Sequence, residues 1–175
     1  MMRPFVKICG LTEREHIDAA IEFGVDAIGF VFVKSVRQIS IEKALDISVG
    51  IKNKIKRVAV FLDPEESHWN DVLTEFKPDA IQSDADDFLY LRVPSSIEKW
   101  PVLREHQSNL MIPKKGKFIY EGKHSGVGER VDWSKAAKFS KQGNLILAGG
   151  LSLSLIHISE PTRRYAISYA VFCLK

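Results

Sequence analysis

The sequence has few cysteines and no long apolar run, and both shortages narrow the class of protein. Its 175 residues include only two cysteines, Cys9 and Cys173, so the disulfide framework of a small secreted domain cannot be built from it. The longest apolar run near the end of the chain, Leu145 to Leu151, is far too short to cross a bilayer, and the N-terminus lacks the apolar core of a signal peptide. We therefore expect a cytoplasmic protein without a membrane partner.

The sequence also lacks a basic, aromatic-rich stripe and a cluster of metal ligands. The net charge is only +3, and the short basic clusters at 52–57 and 114–117 are not interleaved with aromatic residues, which argues against nucleic acid as a partner. No grouping of His and Cys suits a metal, so we expect no metal site. A composition of 45% apolar and 27% charged residues is typical of one ordinary globular domain.

Short β-branched runs alternate with amphipathic stretches, a pattern typical of parallel βαβ units. Helices are predicted to begin at the N-caps Thr12, Ser40, Asp63 and Asp132, and Gly24 is predicted to end the first of them in the left-handed conformation. Strands are predicted at 5–9, 27–33, 57–62, 80–82, 100–103, 117–121 and 145–148. Seven strands indicate an α/β protein with an incomplete (β/α)8 barrel, strand eight missing, because the whole fold takes ~200 residues or more.

Residues 153–175 break this alternation and resemble a translated sequencing adapter. The stretch 153–163 is similar to one reading frame of a transposase library adapter, and 167–174 is similar to the flow-cell primer that follows it. We therefore expect a partial barrel over residues 1–152 and a non-native tail over 153–175. The alternative is a divergent but natural C-terminal helix.

The string Lys7-Ile8-Cys9-Gly10-Leu11-Thr12 is similar to the N-terminal signature of the phosphoribosylanthranilate isomerase family of tryptophan biosynthesis. Cys9 falls at the C-terminal end of the predicted first strand, where barrel enzymes place their active sites. A buried cysteine is otherwise most often a small apolar side chain. The resemblance implies an aldose–ketose isomerase that needs no cofactor, with Cys9 as its general base.

Further segments resemble the same family in the expected order. Residues 24–30 are similar to its second strand, and 35–40 resemble its Ser-Pro-Arg-x-x-Ser loop, with Val36 in place of proline. The resemblance implies that Arg37 binds the anthranilate carboxylate, for which a planar guanidinium is suited. A solvated loop arginine is the alternative.

Two glycine-bearing loops resemble the family's phosphate-binding loops. Residues 125–128, followed by Val131-Asp132-Trp133, are similar to its Gly-Gly-Thr-Gly…Phe-Asp-Trp, and 148–151 resemble the loop after strand seven. Glycines let backbone N–H groups approach a phosphate closely, although any tight turn also uses them. The resemblance implies a phosphorylated small-molecule substrate held by Gly126, Gly128, Gly149 and Gly150.

The sequence departs from the family at two strand ends. The family's strand-six aspartate, the expected general acid, is replaced by Glu121, which shares a strand face with Lys117 and Ile119. Catalytic acid and surface glutamate are equally compatible with this pattern. Gln82-Ser83-Asp84-Ala85 stands where the family has Gln-Leu-His-Gly. We count Gln82 and Lys7 with Arg37 as substrate-binding candidates.

The implied reaction is an Amadori rearrangement, for which Glu121 must be protonated near neutral pH and Cys9 ionised. Lys7, on the same strand face as Cys9, is our candidate for the positive neighbour that an ionised thiol needs. One rival is another phosphate-binding barrel isomerase, of the kind found in histidine biosynthesis, but such enzymes use paired aspartates.

A second rival is an inactive sugar-phosphate-binding or structural fragment. Without strand eight a barrel keeps open edges, so the chain as written is expected to be unstable or inactive. We expect a monomer or a homodimer.

Overall fold

Eight parallel strands form one closed barrel in chain order in the computed structural model. The structure describes residues 4–107, 111–124 and 130–149, together with the backbone of 169–173. The strands are β1 (Phe5–Cys9), β2 (Ala27–Val31), β3 (Lys56–Val60), β4 (Ala80–Asp84), β5 (Glu98–Arg104), β6 (Lys117–Glu121), β7 (Asn144–Leu147) and β8 (Tyr169–Cys173).

Helices connect most of the described strands. They are α1 (Arg14–Glu22), α2 (Ile41–Ile47), α3 (Glu66–Asp71, continued by a π-helical turn over Val72–Phe76), α4 (Asp87–Tyr90) and α5 (Trp133–Ser140). In the part of the chain described, no helix is both long enough and apolar enough to span a membrane.

The prediction of a (β/α)8 barrel is confirmed. The position of the eighth strand is occupied by Tyr169–Cys173, which belongs to the segment predicted to be non-native. The segment Tyr169–Cys173 pairs with β1 over five residue pairs and with β7 through one, Leu147 to Ala170. β1 and β7 would otherwise leave unpaired backbone groups, and a short β-prone segment satisfies them. That residues 153–175 are non-native stays a prediction, and 151–168, 174 and 175 lie outside the described residues.

Alternation along the strands separates the barrel interior from the helix-covered outside. One buried cluster combines inward-facing residues of seven strands, among them Cys9, Val58, Trp100, Ile119 and Ile146. A second cluster packs the outer faces of the strands against the helices. Because side chains on a strand alternate, Lys7 and Glu121 share the inward face with Cys9 and Ile119 respectively.

Two of the four predicted helix N-caps are confirmed by the structure. Ser40 accepts a hydrogen bond from Lys43 N at 3.1 Å, and Asp132 caps α5 through Ser134 N, so both predictions are confirmed. Gly24 has the positive φ predicted for it, +67°. The caps predicted at Thr12 and Asp63 are wrong, because α1 begins at Arg14 and α3 at Glu66.

A charged cluster fills the N-terminal end of the barrel. Glu98 accepts hydrogen bonds from Lys56 Nζ at 2.6 Å, Trp100 Nε1 at 2.8 Å and Lys117 Nζ at 3.4 Å. Burial alone raises the pKa of Glu98, but these donors outweigh it and lower the pKa overall. With this end filled by side chains, the C-terminal ends of the strands are left as the open mouth of the barrel.

Candidate active site

Cys9 is the last residue of β1 and therefore lies at the mouth of the barrel. It is 5% exposed and pairs in register with Gly29 of β2. A Cβ at position 29 would lie 2.8 Å from Cys9 Sγ and 2.9 Å from Lys7 Nζ. The sulfur and the ammonium nitrogen are therefore no farther apart than the sum of these two distances, and only glycine at position 29 leaves room for both.

Lys7 is fully buried in the barrel interior, where an ammonium group needs compensation. Its Nζ donates a hydrogen bond to Gln82 Oε1 at 2.8 Å. Gln82 therefore holds the ammonium in place. Lys7 lies two residues before Cys9, on the same face of β1. The amide oxygen carries no full charge, so a thiolate at Cys9 is the anion that this arrangement suits.

Adding a methyl group at Gly29 is expected to disable this arrangement. In Gly29→Ala the new Cβ overlaps the sulfur and the ammonium, so we expect kcat to fall at least about tenfold and stability to fall by about 1–3 kcal/mol, as for other overpacked sites. Gly24→Ala is the control: its Cβ meets nothing within 4 Å, and only the positive φ costs stability. Thermal unfolding and steady-state kinetics of both variants test this, and an unchanged kcat in Gly29→Ala would contradict it.

Arg37 lies against the loop that follows Cys9. Gly10 has φ +85°, and a Cβ built there would be 2.6 Å from Arg37 Cδ, so the aliphatic part of the arginine covers Gly10 closely. Ser35 Oγ accepts a hydrogen bond from Arg37 N at 3.2 Å, and a bridge between Val31 and Gln38 holds the loop beside β2. The structure thus brings Arg37 and Cys9 to the same side of the barrel mouth.

Glu121 ends β6 and points into the barrel, buried to 7% exposure. Its Oε2 lies 3.9 Å from Nη1 of Arg104, the last residue of β5. Arg104 Nε donates to both carboxylate oxygens of Asp84 at 3.0 Å, and Nη2 donates to Oδ1 at 2.6 Å. Burial by itself lowers the pKa of Arg104, but the bonds to Asp84 and the charges of Asp84 and Glu121 raise it overall.

Asp87 anchors the turn that follows Asp84. It is buried, its Oδ2 accepts a short hydrogen bond from Ser83 Oγ, and its Oδ1 accepts one from Tyr90 OH at 3.0 Å. These bonds tie α4 to the end of β4 and so fix the strand end that carries Asp84.

Of the predicted phosphate-binding glycines, only Gly149 lies in the described part of the chain, where it follows β7 with φ +93°. Gly126, Gly128 and Gly150 lie outside the described residues. Within the described ranges, no group of three or more His, Cys, Asp or Glu side chains could hold a metal ion. A cavity of about 240 Å³ is lined by the segments that follow β2 and β3, including Phe32 and Phe61, and by His68 of α3.

Sequence reasoning missed Arg104 and gave Asp84 no role. The fifth strand was predicted to end one residue early, at Leu103, so the residue at its C-terminal end was overlooked. Extending that strand by one position would have placed Arg104 at the mouth beside Glu121, with which it pairs in register. The space that Gly29 leaves for Cys9 and Lys7 has no local sequence signal, because it depends on the register of β1 with β2.

Comparison with known proteins gives one consistent match. The family model described as N-(5'phosphoribosyl)anthranilate (PRA) isomerase matches residues 6–158. The N-(5'-phosphoribosyl)anthranilate isomerase of Streptococcus mutans is 32% identical over 149 residues, which cover 84% of this chain and 77% of that protein.

Solved structures agree with this match. The crystal structure of phosphoribosyl anthranilate isomerase from Thermotoga maritima superimposes with a TM-score of 0.72 at 26% identity, covering 99% of this chain and 87% of that one. A phosphoribosyl anthranilate isomerase in complex with reduced 1-(o-carboxyphenylamino)-1-deoxyribulose 5-phosphate superimposes with a TM-score of 0.71 at 25% identity, with the same coverage.

Proposed function

Because this chain belongs to the N-(5'-phosphoribosyl)anthranilate isomerase family, we propose that it catalyses the Amadori rearrangement of N-(5'-phosphoribosyl)anthranilate to 1-(o-carboxyphenylamino)-1-deoxyribulose 5-phosphate, a step of tryptophan biosynthesis. The observation that carries the proposal is that three side-chain groups meet at one barrel mouth: a thiol, a buried ammonium beside it, and a buried carboxyl. Cys9 and Lys7 come from β1 and Glu121 from β6.

Glu121 supplies the first proton. Its carboxylic acid protonates the ribose ring oxygen, and the C1'–O bond breaks as the nitrogen lone pair forms a C1'=N iminium. Ring opening therefore requires a protonated carboxyl inside the mouth, which the burial of Glu121 favours over the ionised form.

Cys9 takes the second proton. Its thiolate removes the proton from C2', and the electron pair of that C–H bond moves towards the iminium and gives an enolamine. The C2' hydroxyl proton is then lost and C1' is protonated, which leaves the ketone. Lys7 stabilises the thiolate, and Gln82 keeps Lys7 in position.

Arg37 and the glycine loops bind the two ends of the substrate. The guanidinium of Arg37, anchored over Gly10 beside Cys9, offers two parallel donors to the anthranilate carboxylate. Gly149, which has a positive φ after β7, is proposed to offer its backbone N–H to the phosphate. The family resemblance assigns the same role to Gly126, Gly128 and Gly150.

Lys7→Met tests the pairing of ammonium and thiol. In a Cys173→Ser background, which leaves one cysteine, we expect the pH at which Cys9 becomes reactive towards iodoacetamide to rise by about one unit, because an opposite charge within about 6 Å favours the ionised form. Lys117→Met, which removes a lysine at the other end of the barrel, is the matched control and should leave this pH unchanged. If the pH at which Cys9 becomes reactive is unchanged in Lys7→Met, Lys7 does not stabilise the Cys9 thiolate.

The activity itself is tested by incubating the purified 175-residue chain with N-(5'-phosphoribosyl)anthranilate and following the fluorescence of the anthranilate ring. Inactivity was expected of a barrel without strand eight; because Tyr169–Cys173 closes this barrel, we expect turnover, and we expect it to be lost in Cys9→Ser. The rival function, an inactive sugar-phosphate-binding fragment, draws support from the single residue pair that joins β8 to β7. Binding of the reduced product analogue without any turnover would establish that rival instead.

A further inference from the structure

Two strand ends at which this chain departs from its family's motifs are joined by one guanidinium. Asp84, in the place of a histidine, forms a forked ion pair with Arg104, and Glu121, in the place of an aspartate, lies 3.9 Å from the same side chain. The three residues end β4, β5 and β6, which are neighbours in the barrel. The strand register pairs Arg104 with Glu121, and it pairs Asp84 with Val102, two residues before Arg104.

We propose that Arg104 is a positioning residue that sets the place and the charge state of the Glu121 carboxyl, and that Asp84 makes this possible by holding and neutralising the guanidinium. This inference rests on the proposed function, in which Glu121 is the proton donor. The longer glutamate side chain requires an orienting contact that a shorter aspartate would not need, and Nη1 of Arg104 supplies it.

The guanidinium of Arg104 faces the two carboxylates with different nitrogen atoms. Nε and Nη2 are occupied by Asp84 at 3.0 Å and 2.6 Å, so only Nη1 faces Glu121, beyond hydrogen-bond distance. An unpaired guanidinium so close would favour an ionised Glu121, which is the wrong state for a proton donor. With Asp84 bound, the local pair is neutral, and Arg104 orients the carboxyl without forcing its ionisation.

Several other groups surround Glu121. On the neighbouring strand β7, the inward-facing Ile146, and Ala148 just after the strand, do not titrate. Glu105 donates its backbone N–H to Glu121 O, while its side-chain Oε1 accepts from Asp132 N at 2.8 Å. Besides the pair, the titratable groups on these elements include Glu98 and Lys99 on β5, Lys117 and Tyr120 on β6, Lys7 and Cys9 on β1, Glu105 after β5, and Lys123 and His124 after β6.

The test is a direct titration of Glu121 in the full chain. The protein is labelled with [5-¹³C]glutamate, and the Glu121 resonance is identified by its loss in Glu121→Gln. In Arg104→Gln the charge of Asp84 is left unopposed, so the midpoint should rise by about one pH unit; in Asp84→Asn the charge of Arg104 is unopposed, so it should fall by about one. Lys141→Met, which removes an exposed charge at the end of α5, should not move it.

Opposite shifts are the signature, because general loosening of the site would move both variants the same way. Shifts in one direction, or none beyond that of Lys141→Met, would overturn the proposal. Should Arg104→Gln fail to fold, Asp84→Asn decides alone, since its amide oxygen still accepts from the guanidinium.

Kinetics separate this inference from the proposed function. In an active enzyme the high-pH limb of kcat/KM should shift with the midpoint in each variant, while Arg104→Lys, which keeps the charge, should stay nearer the wild type. Absence of turnover in the wild-type chain would refute the proposed function, whereas the carboxyl titration would still confirm or overturn the positioning by Arg104 and Asp84.

Discussion

Replacing Cys9 with serine is expected to lower kcat by about 10³-fold, because a serine hydroxyl in the same place is not ionised near neutral pH and cannot take the C2' proton. The substitution is almost isosteric at a site that is 5% exposed, so the thermal unfolding midpoint should change little. Steady-state kinetics on N-(5'-phosphoribosyl)anthranilate measure the effect, and binding of the reduced product analogue should survive.

Cys173 provides the matched control for this substitution. It lies on β8 in register with Cys9, so Cys173→Ser makes the same chemical change one strand away. We expect it to leave kcat within about twofold of the wild type. Equal losses in the two variants, or a Cys9→Ser enzyme that keeps most of its rate, would remove Cys9 from the mechanism.

Glu121→Gln is expected to lower kcat by about 10²- to 10³-fold, since the carboxamide fills the same space but has no acidic proton to give. The pH profile offers a second readout. A proton donor is active while protonated, so activity limited by it falls as the pH rises through its titration, and this limb should be absent from the residual activity of Glu121→Gln.

Glu98→Gln is the control for Glu121→Gln, because it makes the same chemical change at the opposite, N-terminal end of the barrel, where Glu98 is exposed. It weakens the bonds to Lys56 and Lys117 and should reduce stability without lowering kcat. The lowered pKa of Glu98 means that its stabilising contribution is present at neutral pH and is lost as the pH falls through that pKa. A Glu121→Gln enzyme with normal kcat would assign proton donation to another group.

Local sequence patterns allowed much of the barrel to be predicted, but not the segment that occupies its eighth strand position. Period-two alternation placed Lys7 and Cys9 on one face, and a serine or aspartate before an apolar run located the caps at Ser40 and Asp132. The pairing of Tyr169–Cys173 with β1 and β7 was not predicted, because it depends on the free edges of those two strands, which are distant in sequence from this segment.

The sequence by itself determined that Lys7 and Cys9 share one strand face and that Cys9 and Glu121 end their strands, since both follow from strand period and strand direction; it left open whether Glu121 faces the barrel mouth or the surface. Only the tertiary structure decided what those side chains meet. The register of β4, β5 and β6 brings Asp84 and Glu121 to opposite sides of Arg104, and the register of β1 with β2 sets Gly29 against Cys9. Register is fixed by packing across the whole barrel, so no single segment of the sequence specifies it.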